Sequence, residues 1–157
     1  MILCLRRLGN TITAMNRPQI ILPAAFDFEL TLPVRLTDLN YGNHLANDRV
    51  LALVHEARVA WLHTQGLTEL DLGEGVGLIQ ADAAVRYLSQ ARWGDTLRLQ
   101  LAVAEMRRGG FTLAYRISHA ASDQDVAHVQ TGFAFFDYAR QQVARGPQAF
   151  TTRWARE

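Results

Sequence analysis

The stretch that most constrains this chain is Val34 to Arg58, VRLTDLNYGNHLANDRVLALVHEAR, where an extended segment passes through a polar turn into a long amphipathic helix. Between Asn47 and Gln65, the residues Val50, Leu53, Val54, Ala57 and Trp61 fall on one face at helical spacing, with Ala52, His55, Glu56, Val59 and His63 opposite. Asn47 or Asp48 is expected to cap the start, and Gly66 to stop the end. An apolar face with alanine on its back suits a helix embedded in a sheet. The first backbone N–H groups of such a helix lack intrahelical partners and carry the positive end of its dipole. A carbonyl or anion held there would be polarised, so the turn before the helix is the first place to look for chemistry.

The flanking residues read as strands. Phe26, Phe28, Leu30 and Leu32 alternate with Asp27, Glu29 and Thr31, the period of a half-buried strand between Ala25 and Leu36, and Pro33 places its end at an edge or a bulge. After a loop over 67–75, four strands are expected at 76–89, 95–106, 111–120 and 126–137. Trp93-Gly94-Asp95, Arg108-Gly109-Gly110 and Ser122-Asp123-Gln124-Asp125 supply the turns between them. One strand, one long helix and a four-strand antiparallel meander make an α+β domain whose edge strands commonly pair in a dimer. The tail after Pro147, with Phe150 and Trp154, carries no clear assignment.

Composition narrows the function. At 157 residues and 49% hydrophobic content, the chain suits one globular domain over 19–157. Residues 1–18, with Arg6 and Arg7 interrupting a short apolar run, read as a flexible or misassigned leader, and Met15 is a candidate start. No segment approaches the roughly 20 apolar residues of a transmembrane helix. A net charge of +1 gives no case for nucleic acid or an acidic membrane, so the expected partner is a small molecule. Every basic residue is Arg, which removes Schiff-base chemistry and the phosphate-loop lysine. Cys4 stands alone, which allows no internal disulfide and fits a reducing cytoplasm. His55-Glu56 opens like a zinc-protease motif, but position 59 is Val59 and no metal is expected. Ser89, Ser118 and Ser122 lie outside any G-x-S-x-G, which removes the α/β serine hydrolases.

The segment T-D-L-N-Y-G-N-H-L-A-N-D-R-V from Thr37, with H-E-A-R from His55, V-R-Y-L from Val85 and G-D-T-L from Gly94, resembles the hotdog-fold acyl-CoA thioesterases of the 4-hydroxybenzoyl-CoA thioesterase type. The likeness spans about residues 26–140. Thr37 and Asp38 match the T-D of that family's T-D-x-D-x-x-G-H-V-N-N-x-x-Y, His44 its H, Asn47 its second N, and Glu56-Ala57-Arg58 its E-A-R. Asn40 stands where the family has its catalytic carboxylate, Asn43 replaces the glycine before the histidine, Ala46 the first asparagine and Val50 the tyrosine. An amide cannot act as a general base.

The resemblance implies a hotdog fold: a long central helix wrapped by a curled five-stranded antiparallel sheet, in a homodimer or homotetramer with the site shared across the dimer. It implies hydrolysis of an acyl-CoA or acyl-carrier thioester without a cofactor, the carbonyl directed at the helix start. Backbone N–H groups from Gly42 to Leu45 would receive the oxyanion, and Asp38 or Glu56 would activate water beside Asn40 and His44. Tyr41, Gly42, Asn43, Asn47 and Asp48 would line the substrate. Plainer roles stay open: Asp38 capping the turn, His44 bonding a loop carbonyl, Glu56 pairing with Arg58 or a partner-chain arginine. Arg107 and Arg108 would be either a solvated hairpin tip or contacts to CoA phosphates. The alternative functions are a non-catalytic acyl-CoA binding module, for which Asn40 speaks, and a hotdog enoyl-CoA hydratase, which Asp38-Leu39-Asn40 and His44 partly resemble.

Overall fold

The structure is a computed structural model describing residues 18–155. The expected leader, with Cys4, lies outside the described residues. The elements in order are β1 (Phe28–Pro33), a 3-10 turn (Leu36–Asp38), α1 (Asn47–His63), β2 (Gly77–Tyr87), β3 (Thr96–Arg107), β4 (Gly110–His119), β5 (Asp125–Asp137), β6 (Gln142–Val143) and α2 (Gln148–Trp154). Five long antiparallel strands form one sheet, and β6 adds two residues to β5.

The spatial order is β1-β3-β4-β5-β2, so the expected four-strand meander is corrected: β3, β4 and β5 form one, but β2 crosses to the far edge beside β5. The reason lies in the connection between β2 and β3. Leu88 and Ser89 donate their N–H groups to Val126 O at 2.8 and 3.2 Å, holding the chain to β5 as it leaves the strand. It then runs under the start of α1, where Leu45 N–H donates to Ala91 O at 2.8 Å, and reaches β1 where Val34 N–H donates to Asp95 O at 2.8 Å. A segment spent on crossing the sheet cannot close a hairpin.

The sheet wraps α1 because both bury complementary stripes. Leu97, Leu99, Leu101 and Val103 of β3, with Phe111, Leu113, Tyr115 and Ile117 of β4, face inward at period two. Against them lie Val50, Leu53, Val54, Ala57 and Trp61, the apolar stripe expected for α1. Each fully buried residue of this size contributes about 1.5–3 kcal/mol.

The tail forms α2, whose Phe150 sits 6.2 Å from the Trp61 ring and 5.3 Å from Phe111, while Trp154 sits 5.1 Å from Trp61. Gly146 makes this docking feasible, since any β-carbon there would collide with the Phe135 ring. Among the described residues no helix is long and apolar enough to cross a membrane.

Candidate active site at the start of the central helix

The turn before α1 is a nest of local hydrogen bonds. Leu36–Asp38 is a 3-10 turn rather than the end of a strand, and Asp38 Oδ2 accepts Arg35 N–H at 2.9 Å. Asp38 therefore does not share a strand face with Asn40, because its short carboxylate offers the backbone a local partner in place of an extended ladder. Asn40 donates its N–H to His44 O and accepts Asn43 N–H at its carbonyl, both at 3.0 Å, while its side-chain Oδ1 accepts Gly42 N–H at 2.9 Å. Asn43 has φ +61°, a left-handed conformation that asparagine tolerates well, which explains how it can stand in place of a glycine. The His44 ring lies over Gly42, where an added β-carbon would meet Nε2 at 2.9 Å and Asn40 Oδ1 at 3.2 Å. His44 Nδ1 is 3.5 Å from Leu45 O, and Tyr41 is fully exposed.

These bonds decide which donors remain. Gly42, Asn43 and Leu45 spend their N–H groups inside the turn or on Ala91, and Ala46 N–H donates to Asp38 O at 2.9 Å. Among the described residues no acceptor faces the N–H of His44, Asn47 or Asp48. The donors expected over Gly42 to Leu45 thus narrow to His44, and the first turn of α1 adds two. The N-cap is Ala46, extended and without a capping side chain, so Asn47 and Asp48 are the first helical residues and neither caps the helix as expected.

Asp48 lies exposed in that first turn, beside β2. Tyr87 OH donates to Asn47 O at 3.0 Å, and burial, with the negative charge of Asp48, pushes the Tyr87 hydroxyl above its ordinary pKa. Glu56, further along, is exposed and does not pair with Arg58. Arg58 points into the protein, where its Nε donates to Glu69 Oε1 at 2.6 Å, its Nη1 to Gln80 Oε1 at 3.3 Å, and its guanidinium lies 4.7 Å from the Phe133 ring centroid. The other oxygen of Glu69 is 3.2 Å from His55 Nε2. Since His55 and Arg58 are three apart on the helix, one carboxylate can hold both.

Glu69 and Gln80 are the residues sequence reasoning missed. Glu69 reads as a loop breaker, and the only available signal is a carboxylate shortly after a helix that carries H-E-A-R.

Elsewhere Arg98, Arg107 and Arg116 are paired with neighbouring carboxylates. Arg107 Nη2 lies 2.7 Å from Glu105 Oε1 on the solvated hairpin. Arg116 bridges Asp123 and Asp125 across the outer face of the sheet, at 3.1 and 2.7 Å. Burial alone would raise the Asp125 carboxyl, but hydrogen bonds from His128 and Arg116, both at 2.7 Å, outweigh it and hold the group below its ordinary pKa.

The sequence profile of the thioesterase-like superfamily matches residues 34–153, which includes the turn and all of α1. No curated protein matches the chain. Among solved structures it is similar to Slr0204, a 1,4-dihydroxy-2-naphthoyl-CoA thioesterase from Synechocystis, at 26% identity over 80% of this chain and 93% of that one, with a TM-score of 0.71. SAV2348 from Staphylococcus aureus, solved in complex with CoA, is 15% identical over 80% of each chain, with a TM-score of 0.71. The Aquifex aeolicus protein AQ1494 is 17% identical over 82% of this chain and 99% of that one, with a TM-score of 0.73. The last two likenesses bear on the fold alone. With the profile matched over most of its length and a long helix held in a curled antiparallel sheet, the chain belongs to the thioesterase-like superfamily and has the hotdog fold.

Proposed function

We propose that this protein hydrolyses acyl-CoA thioesters, with the thioester carbonyl held at the start of α1. The observation that carries the reading is the uncapped helix start, which leaves the N–H groups of His44, Asn47 and Asp48 free to receive a developing oxyanion. Asn40 supplies no base, and its Oδ1 is turned to Gly42. Asp38 takes that role: its carbonyl accepts the N–H of the N-cap Ala46, which seats it at the helix start, and its Oδ1 is uncommitted among the described residues. Glu56 lies nine residues along the helix, about 13 Å from Asn47, and would serve only a site completed by a second copy. Such a copy is part of the proposal. The free edge of β2, with Ile79 and Tyr87 exposed, offers an unpaired ladder to its own twin.

The test is thiol release from short, long and aromatic acyl-CoA thioesters by the native chain and by Asp38→Asn, Asp48→Asn and Glu56→Gln. Loss of at least a hundredfold in kcat confined to Asp38→Asn is expected. Loss confined to either of the others reassigns the base. Binding of the thioesters with no turnover by the native chain would make the protein a binding module and overturn the proposal. Light scattering at micromolar concentration, expected to give at least a dimer mass, tests the second copy.

A further inference from the structure

Two charges on β2 stand apart from the ion pairs of the sheet. Over β3, β4 and β5, Arg98 reaches Asp123, Arg107 reaches Glu105, Arg116 reaches Asp123 and Asp125, and His128 reaches Asp125. On β2, Asp82 and Arg86 face outward, opposite Gly132 and His128, which alternate with the inward-facing Thr131 and Val129. Both are exposed, and among the described residues neither side chain has an ion pair or a hydrogen bond. They lie four residues apart, about 13 Å along the strand. The backbone beside them is open too. Leu88 N–H donates to Val126 O, so by alternation Asp82, Ala84 and Arg86 turn their backbone groups to β5, while Ala83, Val85 and Tyr87 turn theirs to the free edge. The start of the strand is closed, because Leu78 N–H donates to Glu69 O at 2.8 Å. An added strand therefore pairs beyond the bulge between Gln80 and Asp82.

We infer that a second copy of this chain joins along this edge in one register, antiparallel about a twofold axis at Ala84, with Asp82 opposite the partner's Arg86. This rests on the second copy proposed above and is independent of the thioester chemistry. A twofold contact is isologous, so each pairing occurs twice. Directly opposite residues show their side chains on the same face, which restricts the axis to the centre of a residue rather than a point between two. An axis at Asp82 sets carboxylate against carboxylate, and one at Arg86 sets guanidinium against guanidinium. At Ala83 or Val85 it leaves both charges opposite uncharged residues. Only at Ala84 does each charge meet its complement, Asp82 on the partner's Arg86 and Arg86 on the partner's Asp82. These are non-hydrogen-bonded positions, where opposite side chains approach most closely.

The register also says what the partner brings to the helix start. The partner's Ala81 falls opposite Tyr87, whose hydroxyl donates to Asn47 O. The residue before it is Gln80, whose Oε1 accepts from Arg58 on the concave side. Each helix start is thus bordered by the other copy's Gln80 and Arg58.

The test has two readouts. In a Cys4→Ser background, Ala84→Cys places two thiols across a non-hydrogen-bonded pair with Cα atoms about 4.5 Å apart, within the range a disulfide spans. Mild oxidation should link most of that variant into dimers. Ala83→Cys and Val85→Cys, whose twins stand about 8–9 Å apart in this register, should stay largely unlinked. The second readout is a pair of charge reversals, each checked for folding by its melting curve. Asp82→Arg and Arg86→Asp each set like charges opposite one another, so each alone should dimerise at least about tenfold more weakly than the native chain. Mixed in equal amounts they restore both ion pairs, and about nine-tenths of the dimers seen by native mass spectrometry should be mixed rather than the statistical half. A native dimer that fails to link at position 84, or a mixture that stays at the statistical half, overturns this register and leaves the thioester reading standing. A native chain that stays monomeric at micromolar concentration overturns the second copy itself.

Discussion

Replacing Glu69 by alanine strips the partner from a buried guanidinium. The Arg58 side chain is 6% exposed, its Nε is 2.6 Å from Glu69 Oε1, and its other contacts are a 3.3 Å bond to Gln80 and the Phe133 ring. Breaking one side of a fully buried pair costs about 3–5 kcal/mol. Glu69 is itself 28% exposed, so water can reach the gap that alanine leaves, and Gln80 keeps one hydrogen bond. A loss of about 2–3 kcal/mol follows. In a domain of this size that lowers Tm by about 4–12 °C. Urea unfolding at fixed protein concentration measures it, with the double variant Glu69→Ala, Arg58→Met as the decisive control. Once methionine replaces the stranded charge, the double variant should be more stable than Glu69→Ala alone by about 1 kcal/mol or more. A Glu69→Ala loss under about 0.5 kcal/mol, or a double variant that merely sums the singles, would refute the reasoning.

Phe150→Ala should cost about 3–5 kcal/mol and shift Trp fluorescence on unfolding curves, because Phe150 fills the space between Trp61, Phe111 and Phe135. Gly42→Ala pushes a methyl group into the His44 ring, so thioester turnover should fall at least tenfold while Tm moves by only about 2–4 °C. The lowered Asp125 carboxyl means that the unfolded chain binds more protons than the folded one between the two pKa values, so stability rises with pH there. That contribution is fully present above the ordinary Asp value of about 4 and is lost as pH falls through the lower folded one. Acid unfolding of Asp125→Asn followed by circular dichroism should accordingly show a shallower acid limb than the native chain.

The long-range and local parts of the fold were unequally legible in the sequence. α1 was readable because its apolar stripe repeats over about three turns, and the β3-β4-β5 hairpins because Arg108-Gly109-Gly110 and residues 122–125 offer turn chemistry. The place of β2 was not, since Trp93-Gly94-Asp95 has the composition of a hairpin turn whether the strand before it is a neighbour or lies at the far edge. The 3-10 turn at Leu36–Asp38 was not legible for a related reason. The Asp38 side chain captures Arg35 N–H within four residues, a choice that alternation does not register. At the site, the turn from Asn40 to His44 was recognisable by residue type. The pairing of Arg58 with Glu69 was not, because it depends on how the loop after α1 folds back.

The most direct test of the central claim is hydrolysis in ¹⁸O-labelled water with the best acyl-CoA thioester, reading free thiol and the isotope content of the acid together. The account predicts repeated turnover, one thiol per acid released, and one ¹⁸O in each newly formed carboxylate. Thioester that binds and stays intact, or acyl transfer that leaves the acid unlabelled, would contradict it.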